Sequence, residues 1–229
     1  MRTPRAAFLA LGLAAAAAAA LEAAAPERTV SVAPEKAAEA DRFMVAAAHP
    51  LAAMAGYDVL AAGGTAADAA VAAQVTLTLV EPQSSGLGGG SFALYWDAET
   101  RRLTSYDGRE RAPLSADETY WLGPDGAPLG WWEAVVGGRS VGVPGTPKLL
   151  ERLHGEHGRL AWADLIAPAI RLAEEGFAIS PRLAGLIERA AERALDRFPE
   201  ARAHFFHEDG APKRAGEILR NPALAETLR

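Results

Sequence analysis

The chain has no cysteine among its 229 residues. Disulfides, thiolate metal sites, cysteine nucleophiles and lipid-modified cysteines are therefore excluded. It also lacks a basic segment, because 29 acidic residues outnumber 23 lysines and arginines and the formal net charge is −6. A nucleic-acid binder needs a positively charged surface, so we expect no nucleic-acid partner. Half of the residues are hydrophobic, which supplies a sizeable core and excludes intrinsic disorder.

The N-terminus has the pattern of a secretory signal. Arg2 and Arg5 precede an apolar, alanine-rich run over residues 6–21, and small residues that suit a signal peptidase follow. We assign residues 1–25 to a signal peptide and residues 26–42 to a leader or linker. A polyalanine helix or a membrane anchor is the alternative, but the run lacks the strongly apolar side chains of a stop-transfer segment. We therefore expect a periplasmic or secreted protein with no stable membrane anchor.

Residues 43–229 are predicted to form one α+β domain in which helices cover an antiparallel sheet. Thr65 and Asp68 have the spacing of a capping box, which predicts a buried helix from residue 66 to about residue 80. Residues 91–96 are predicted to form a strand, residues 97–101 a turn, and residues 103–107 the returning partner strand of a β-hairpin. A helix is also expected to begin at residue 50, before the capping box.

The second half of the chain is predicted to be helical after an irregular region over residues 113–144. We expect Thr146 to cap the first of these helices, and Pro168 to break the next. Ser180 is predicted to cap a helix that runs to Phe198, and Asn221 to cap a terminal helix.

Two pairs of histidines have the spacing of metal ligands, His154 with His157 and His204 with His207. Neither pair has an obvious third ligand, so we predict that both are solvated surface residues and that the protein needs no metal or other cofactor. A glycine-rich segment at residues 86–90 follows a helix and opens a strand, which is the reverse of a phosphate-binding loop. It is interpreted as a turn that permits close backbone packing.

Arg109 is the most suggestive polar residue, because it follows a predicted strand in the segment DGRERAP at residues 107–113. A guanidinium at the rim of a sheet can hold a carboxylate through two parallel hydrogen bonds. The same arginine has Asp107 and Glu110 as neighbours, and a local ion-pair network is the commoner reason for such a cluster. Composition alone does not decide between the two.

Ordered segments along the chain carry a family resemblance. They are residues 44–52, 59–73, 80–82 with 85–90, 107–113, 141–146, and 168–170 with 173–177. Together they resemble the first part of the large subunit of the gamma-glutamyltranspeptidases, over residues 43–229. The resemblance implies an N-terminal-nucleophile hydrolase with an αββα sandwich, of which this chain holds only the first portion.

The resemblance also implies an activity. In this family a precursor cleaves itself and frees a threonine, which takes a γ-glutamyl group from a glutathione-like donor and passes it to water or an amino acid. The implied partners are a γ-glutamyl peptide such as glutathione and the small subunit produced by self-cleavage. Carried onto this sequence, the resemblance makes Arg109 the residue that binds the donor's α-carboxylate and Glu110 the residue that orients Arg109.

No catalytic nucleophile is assigned within this chain. None of its threonines has the Thr-x-His or Thr-Thr context of the family, so the nucleophile is expected downstream of Arg229, and the chain alone is expected to be inactive. Three alternatives stay open from the sequence. They are a related acylase, a poly-γ-glutamate depolymerase, and a noncatalytic secreted domain that binds a carboxylate.

Overall fold

The computed structural model describes residues 37–193 and 195–229. The predicted signal peptide at residues 1–25 lies outside these residues, as does the leader up to residue 36. Residues 42–229 belong to one unit. Within the described part of the chain, no helix combines the length and the apolar character needed to cross a membrane.

Two alanine-rich helices pack side by side at the start of this unit, α1 (Pro50–Ala61) and α2 (Ala66–Val80). The predicted capping box of α2 is confirmed, because the Asp68 backbone N–H donates to Thr65 Oγ1 at 3.2 Å and the Thr65 N–H donates to Asp68 Oδ2 at 2.8 Å. Small side chains let other elements approach α2 on most sides. Ten of its residues are buried, as the uniform alanine and valine content predicts.

The predicted hairpin is confirmed as β1 (Ser91–Asp97) and β2 (Arg102–Gly108), which pair antiparallel. The register runs from Ser91 opposite Gly108 to Asp97 opposite Arg102. Because side chains alternate along a strand, one face of the hairpin packs on the core and the other faces outward. The core face carries Ala93, Tyr95 and Tyr106, and the outward face carries Phe92, Leu94, Trp96 and Leu103.

An irregular region follows the hairpin, as predicted, and contains one short helix, α3 (Trp131–Val135). The next helix, α4 (Thr146–His157), packs against β1 and β2. The prediction that Thr146 caps α4 is wrong. Gly145 occupies the cap position, and Thr146 lies in the first turn with its hydroxyl buried and without a hydrogen-bond partner among the described residues.

The rest of the chain is mainly helical and closes a second part of the core. Its elements are α5 (Trp162–Glu175), β3 (Phe177–Ala178), α6 (Pro181–Ala191), α7 (Pro199–Phe205), β4 (Ile218–Leu219) and α8 (Pro222–Leu228). Strands β3 and β4 form a second antiparallel pair. Side-chain oxygens of Ser180 and Asn221 cap α6 and α8 as predicted, at 3.0 Å from the backbone nitrogens that they accept from.

Two predictions about these helices are wrong. Pro168 does not break α5, which continues through it with Leu165, Ala169 and Ala173 fully buried on either side. Packing of this apolar face against α2 and α8 offsets the hydrogen bond that proline cannot donate. Helix α6 ends at Ala191, seven residues before Phe198.

Candidate substrate-binding site

Three of the segments singled out in the sequence meet at the end of β2. The Gly89 carbonyl accepts hydrogen bonds from the backbone N–H groups of Gly145 and Thr146, both at 3.1 Å. Arg111 and Val143 exchange two backbone hydrogen bonds, at 3.3 and 2.8 Å. These bonds tie the glycine-rich segment (residues 86–90), the arginine segment (residues 107–113) and the segment before α4 (residues 141–146) into one structure.

Glycines at this junction allow the segments to touch. A β-carbon at Gly108 would lie 2.8 Å from Leu149 Cβ, and one at Gly142 would lie 2.9 Å from Glu110 Cβ. A β-carbon at Gly145 would collide with the Gly108 carbonyl group. Within the glycine-rich segment, close packing holds at Gly90, where a β-carbon would lie 2.8 Å from the Glu110 backbone nitrogen, whereas Gly88 faces open space.

Arg109 is the first residue after β2, so its position is set by the strand and by the junction. Its backbone N–H donates to Asp107 Oδ1 at 2.9 Å, which fixes the turn out of the strand. Its side chain is 72% exposed, with Nε 3.4 Å from Glu110 Oε2. The Glu110 carboxylate in turn lies against Gly89 and Gly90. The structure thus places the two predicted site residues together, with Glu110 held by the glycines and Arg109 extending into solvent.

Arg109 stands between two open clefts. One has a volume of about 510 Å³ and extends over β2 and the start of α4. The other, of about 610 Å³, extends over residues 109–113 towards Tyr120, Trp121 and Arg139. Arg109 and Arg111 line both clefts. Five cationic side chains line the pair in all: Arg109, Arg111, Arg139, Lys148 and Arg152.

A polar network anchors β2 to α4 behind Arg109. The Tyr106 hydroxyl donates to Glu156 Oε2 at 2.6 Å and lies 2.7 Å from His157 Nε2. The His157 ring stacks on Tyr95 with a centroid separation of 3.9 Å. Burial, together with the bond to Glu156, raises the pKa of Tyr106 to about 12. Tyr106 therefore stays neutral and keeps its role as a donor at physiological pH.

The prediction that the histidine pairs are solvated is wrong for His154 and His157, whose side chains are only 21% and 22% exposed. His154 Nε2 lies 2.9 Å from the Leu160 carbonyl oxygen. Burial lowers the pKa of His204, and the charge of Lys213 adds to this effect. Within residues 37–193 and 195–229, no group of three or more histidine or acidic side chains is placed to hold a metal ion.

Sequence reasoning missed Glu81, a carboxylate that is 1% exposed. It follows α2 directly and accepts a hydrogen bond from Arg182 Nε at 3.2 Å and from Ser84 Oγ at 3.4 Å, as well as from the Gln83 side-chain amide. Glu81 thereby fixes the turn that leads into the glycine-rich segment. Its position in the sequence is a signal for this role, because a charged residue that directly follows a buried apolar helix is expected to be buried and paired.

Comparison with solved structures shows that the chain has the first portion of the N-terminal-nucleophile hydrolase fold. Solved gamma-glutamyltranspeptidases share this fold. The enzyme of Helicobacter pylori is 34% identical, with a TM-score of 0.78 over 85% of this chain and 54% of that chain. That of Pseudomonas nitroreducens is 32% identical, with a TM-score of 0.73 over 83% of this chain and 54% of that chain.

The family model for gamma-glutamyltranspeptidase matches residues 52–229, so the chain belongs to the gamma-glutamyltranspeptidase family. The glutathione hydrolase proenzyme of Bacillus subtilis (strain 168) is 43% identical over 186 residues, which are 81% of this chain and 31% of that protein. The chain thus spans about a third of the length of this curated relative. The family resemblance predicted from the ordered segments is confirmed.

Proposed function

We propose that this protein transfers γ-glutamyl groups from peptides such as glutathione to water or to amino acids. Its family and the name of its B. subtilis relative, a glutathione hydrolase proenzyme, support this function. The same name supports processing of a precursor into two subunits, and we propose that a threonine of the small subunit forms the acyl intermediate. The acylase, depolymerase and noncatalytic alternatives are not favoured by these relatives. We further propose a periplasmic or secreted location.

The position of Arg109 is the observation that carries the proposal for this chain's own part of the site. Arg109 lies at the end of β2, where Glu110 contacts its Nε atom at 3.4 Å. A guanidinium has five N–H donors, so the four on Nη1 and Nη2 stay available to a ligand in the clefts. Two of them match the two oxygens of a carboxylate. We propose that Arg109 holds the donor's α-carboxylate and that Glu110 orients the guanidinium.

In this scheme the arginine acts on binding and alignment rather than on bond breaking. The threonine hydroxyl attacks the γ-carbonyl carbon, the amide C–N bond breaks, and the amine leaves with the hydroxyl proton. Water or an amino acid then takes the acyl group and returns a proton to the threonine oxygen. A donor that is fixed at its α-carboxylate holds its γ-carbonyl carbon at a nearly constant distance from Arg109. The γ-carbonyl is therefore aligned with the attacking hydroxyl more often.

Arg109→Lys tests the proposal in the full-length protein, because lysine keeps the positive charge but cannot donate two parallel hydrogen bonds to a carboxylate. One charge-assisted hydrogen bond is worth about 1.5–3 kcal/mol, so kcat/KM for a γ-glutamyl anilide should fall by about one to two powers of ten. The des-carboxy analogue of the anilide never makes this contact, and its turnover should be unchanged. Arg171→Lys, an exposed position on α5, is the matched control. Equal losses on both anilides would overturn the binding role.

A further inference from the structure

Arg111 is a second arginine beside the proposed anchor. Residues 109–111 leave β2 in a segment that pairs with residue 143, since Arg111 exchanges two backbone hydrogen bonds with Val143. In extended backbone, side chains two residues apart point to the same side and are separated by about 6.6 Å along the chain. Arg109 and Arg111 line both clefts. Glu110 between them lines the larger cleft and lies against Gly89 and Gly90.

The Arg111 guanidinium has no acidic side chain within ion-pair distance in residues 37–193 and 195–229, while the Arg109 guanidinium has Glu110. This matters because the protein as a whole is acidic, with a formal net charge of −6. Of the cations that line the clefts, Arg109, Lys148 and Arg152 have acidic partners. An arginine without one, at the wall of a cleft, favours an anionic ligand. A ligand with two carboxylates could engage both arginines at once.

We propose that Arg111 binds a second carboxylate, on the leaving group of the donor, and so favours γ-glutamyl amino acids over glutathione. This inference rests on the proposed function. In a γ-glutamyl amino acid, one amide and two methylene groups separate the two α-carbons, about 6 Å when extended. It is close to the rise of about 6.6 Å over two residues of extended backbone, the separation along the chain that we propose for Arg109 and Arg111. In glutathione the corresponding carboxyl group of the second residue is an amide and carries no charge.

Arg139 is the other arginine of the larger cleft, and its surroundings fit this role less well. It lines only that cleft, and its guanidinium lies 5.9 Å from the centre of the Tyr120 ring. Among the described residues, no β-bridge includes Arg139, whereas an isolated bridge to Val143 holds the Arg111 backbone. Arg139 therefore offers a control that removes the same charge from the same cleft.

The test compares γ-glutamyl-leucine with γ-glutamyl-leucinamide as donors for the full-length protein, with release of the amine measured by chromatography. Arg111→Gln should raise KM for the free acid about three- to tenfold and leave the amide unchanged, because an exposed ion contact contributes about 1 kcal/mol. Arg139→Gln should affect both donors alike. The proposal would be overturned if Arg111→Gln affected both donors equally. It would also be overturned if Arg139→Gln reduced the preference for the free acid over the amide as much as Arg111→Gln does.

Arg109→Lys in the same assay separates this inference from the function on which it rests. If the anchor is correct, Arg109→Lys lowers kcat/KM for both donors, since both carry the α-carboxylate of the γ-glutamyl group. If Arg109→Lys has no effect and Arg111→Gln still discriminates, the anchor role fails and the second site stands. Absence of turnover of either donor by the unmodified protein would overturn both.

Discussion

The Asp68 carboxylate is fully buried and holds together parts of the fold that are distant in sequence. Oδ2 accepts hydrogen bonds from the backbone N–H groups of Thr65 at 2.8 Å, Arg159 at 3.0 Å and Leu160 at 3.3 Å. The first bond caps α2, and the other two fix the turn between α4 and α5. Burial raises the pKa of Asp68, but these backbone hydrogen bonds outweigh burial and leave the pKa below its ordinary value.

We predict that Asp68→Asn lowers the free energy of unfolding by about 3 kcal/mol, because each of the three hydrogen bonds is weakened by about 1 kcal/mol when the acceptor loses its charge. Asp68→Ala leaves three buried N–H groups without an acceptor and should cost about 3–6 kcal/mol. The matched control is Asp164→Asn. Asp164 occupies the same third position in α5, but it is exposed and its carboxylate accepts no hydrogen bond from any residue that the structure describes, so we expect a loss below about 0.5 kcal/mol.

Urea unfolding followed by circular dichroism, at pH 7 and at a series of lower pH values, measures both effects. A pKa that is lower in the folded than in the unfolded state makes the carboxylate stabilising above the ordinary pKa of 3.8, and this stabilisation is lost as the pH falls through the folded value. The difference between the wild type and Asp68→Asn should therefore narrow on acidification. A difference below about 1 kcal/mol at pH 7, or one that does not narrow, would refute the reasoning.

Two further predictions concern the elements around the site. Gly145→Ala drives a methyl group into the Gly108 carbonyl and should lower the free energy of unfolding by at least about 1–3 kcal/mol in urea. Gly155→Ala lies inside the helix that Gly145 precedes, faces open space, and should be neutral or stabilising. Tyr106→Phe should lower the free energy of unfolding by about 1–2 kcal/mol. It should also raise the pKa of Glu156, because the bond from the Tyr106 hydroxyl is the largest cause that lowers this pKa and the bond from Arg152 is the next. NMR titration of the Glu156 carboxyl carbon would measure the pKa. An unchanged Glu156 pKa would show that this bond does not form in solution.

Local chemistry made the start of the fold predictable from sequence. The capping box depends on residues three apart, and the hairpin on two short strand-like segments joined by a turn, so neither needs knowledge of the tertiary structure. The prolines and capping residues in the second half of the chain are also local signals for where helices begin and end. Tertiary packing overrides these signals at two positions. Pro168 continues a helix because its neighbours are buried on both sides, and Thr146 loses its cap position because Gly89 binds the backbone at that point.

The candidate site shows where reasoning from sequence ends. Arg109 and Glu110 are adjacent in the chain, so their pairing could be foreseen, and the resemblance assigned their roles. Residues 86–90 and 141–146 lie more than fifty residues apart, and only the fold reveals that glycines bring them to the same strand end. The isolated β-bridge between Arg111 and Val143 is likewise a long-range contact. The spacing of the two arginines, on which donor preference is proposed to depend, is therefore a property of that junction and should change with any substitution that forces its backbones apart.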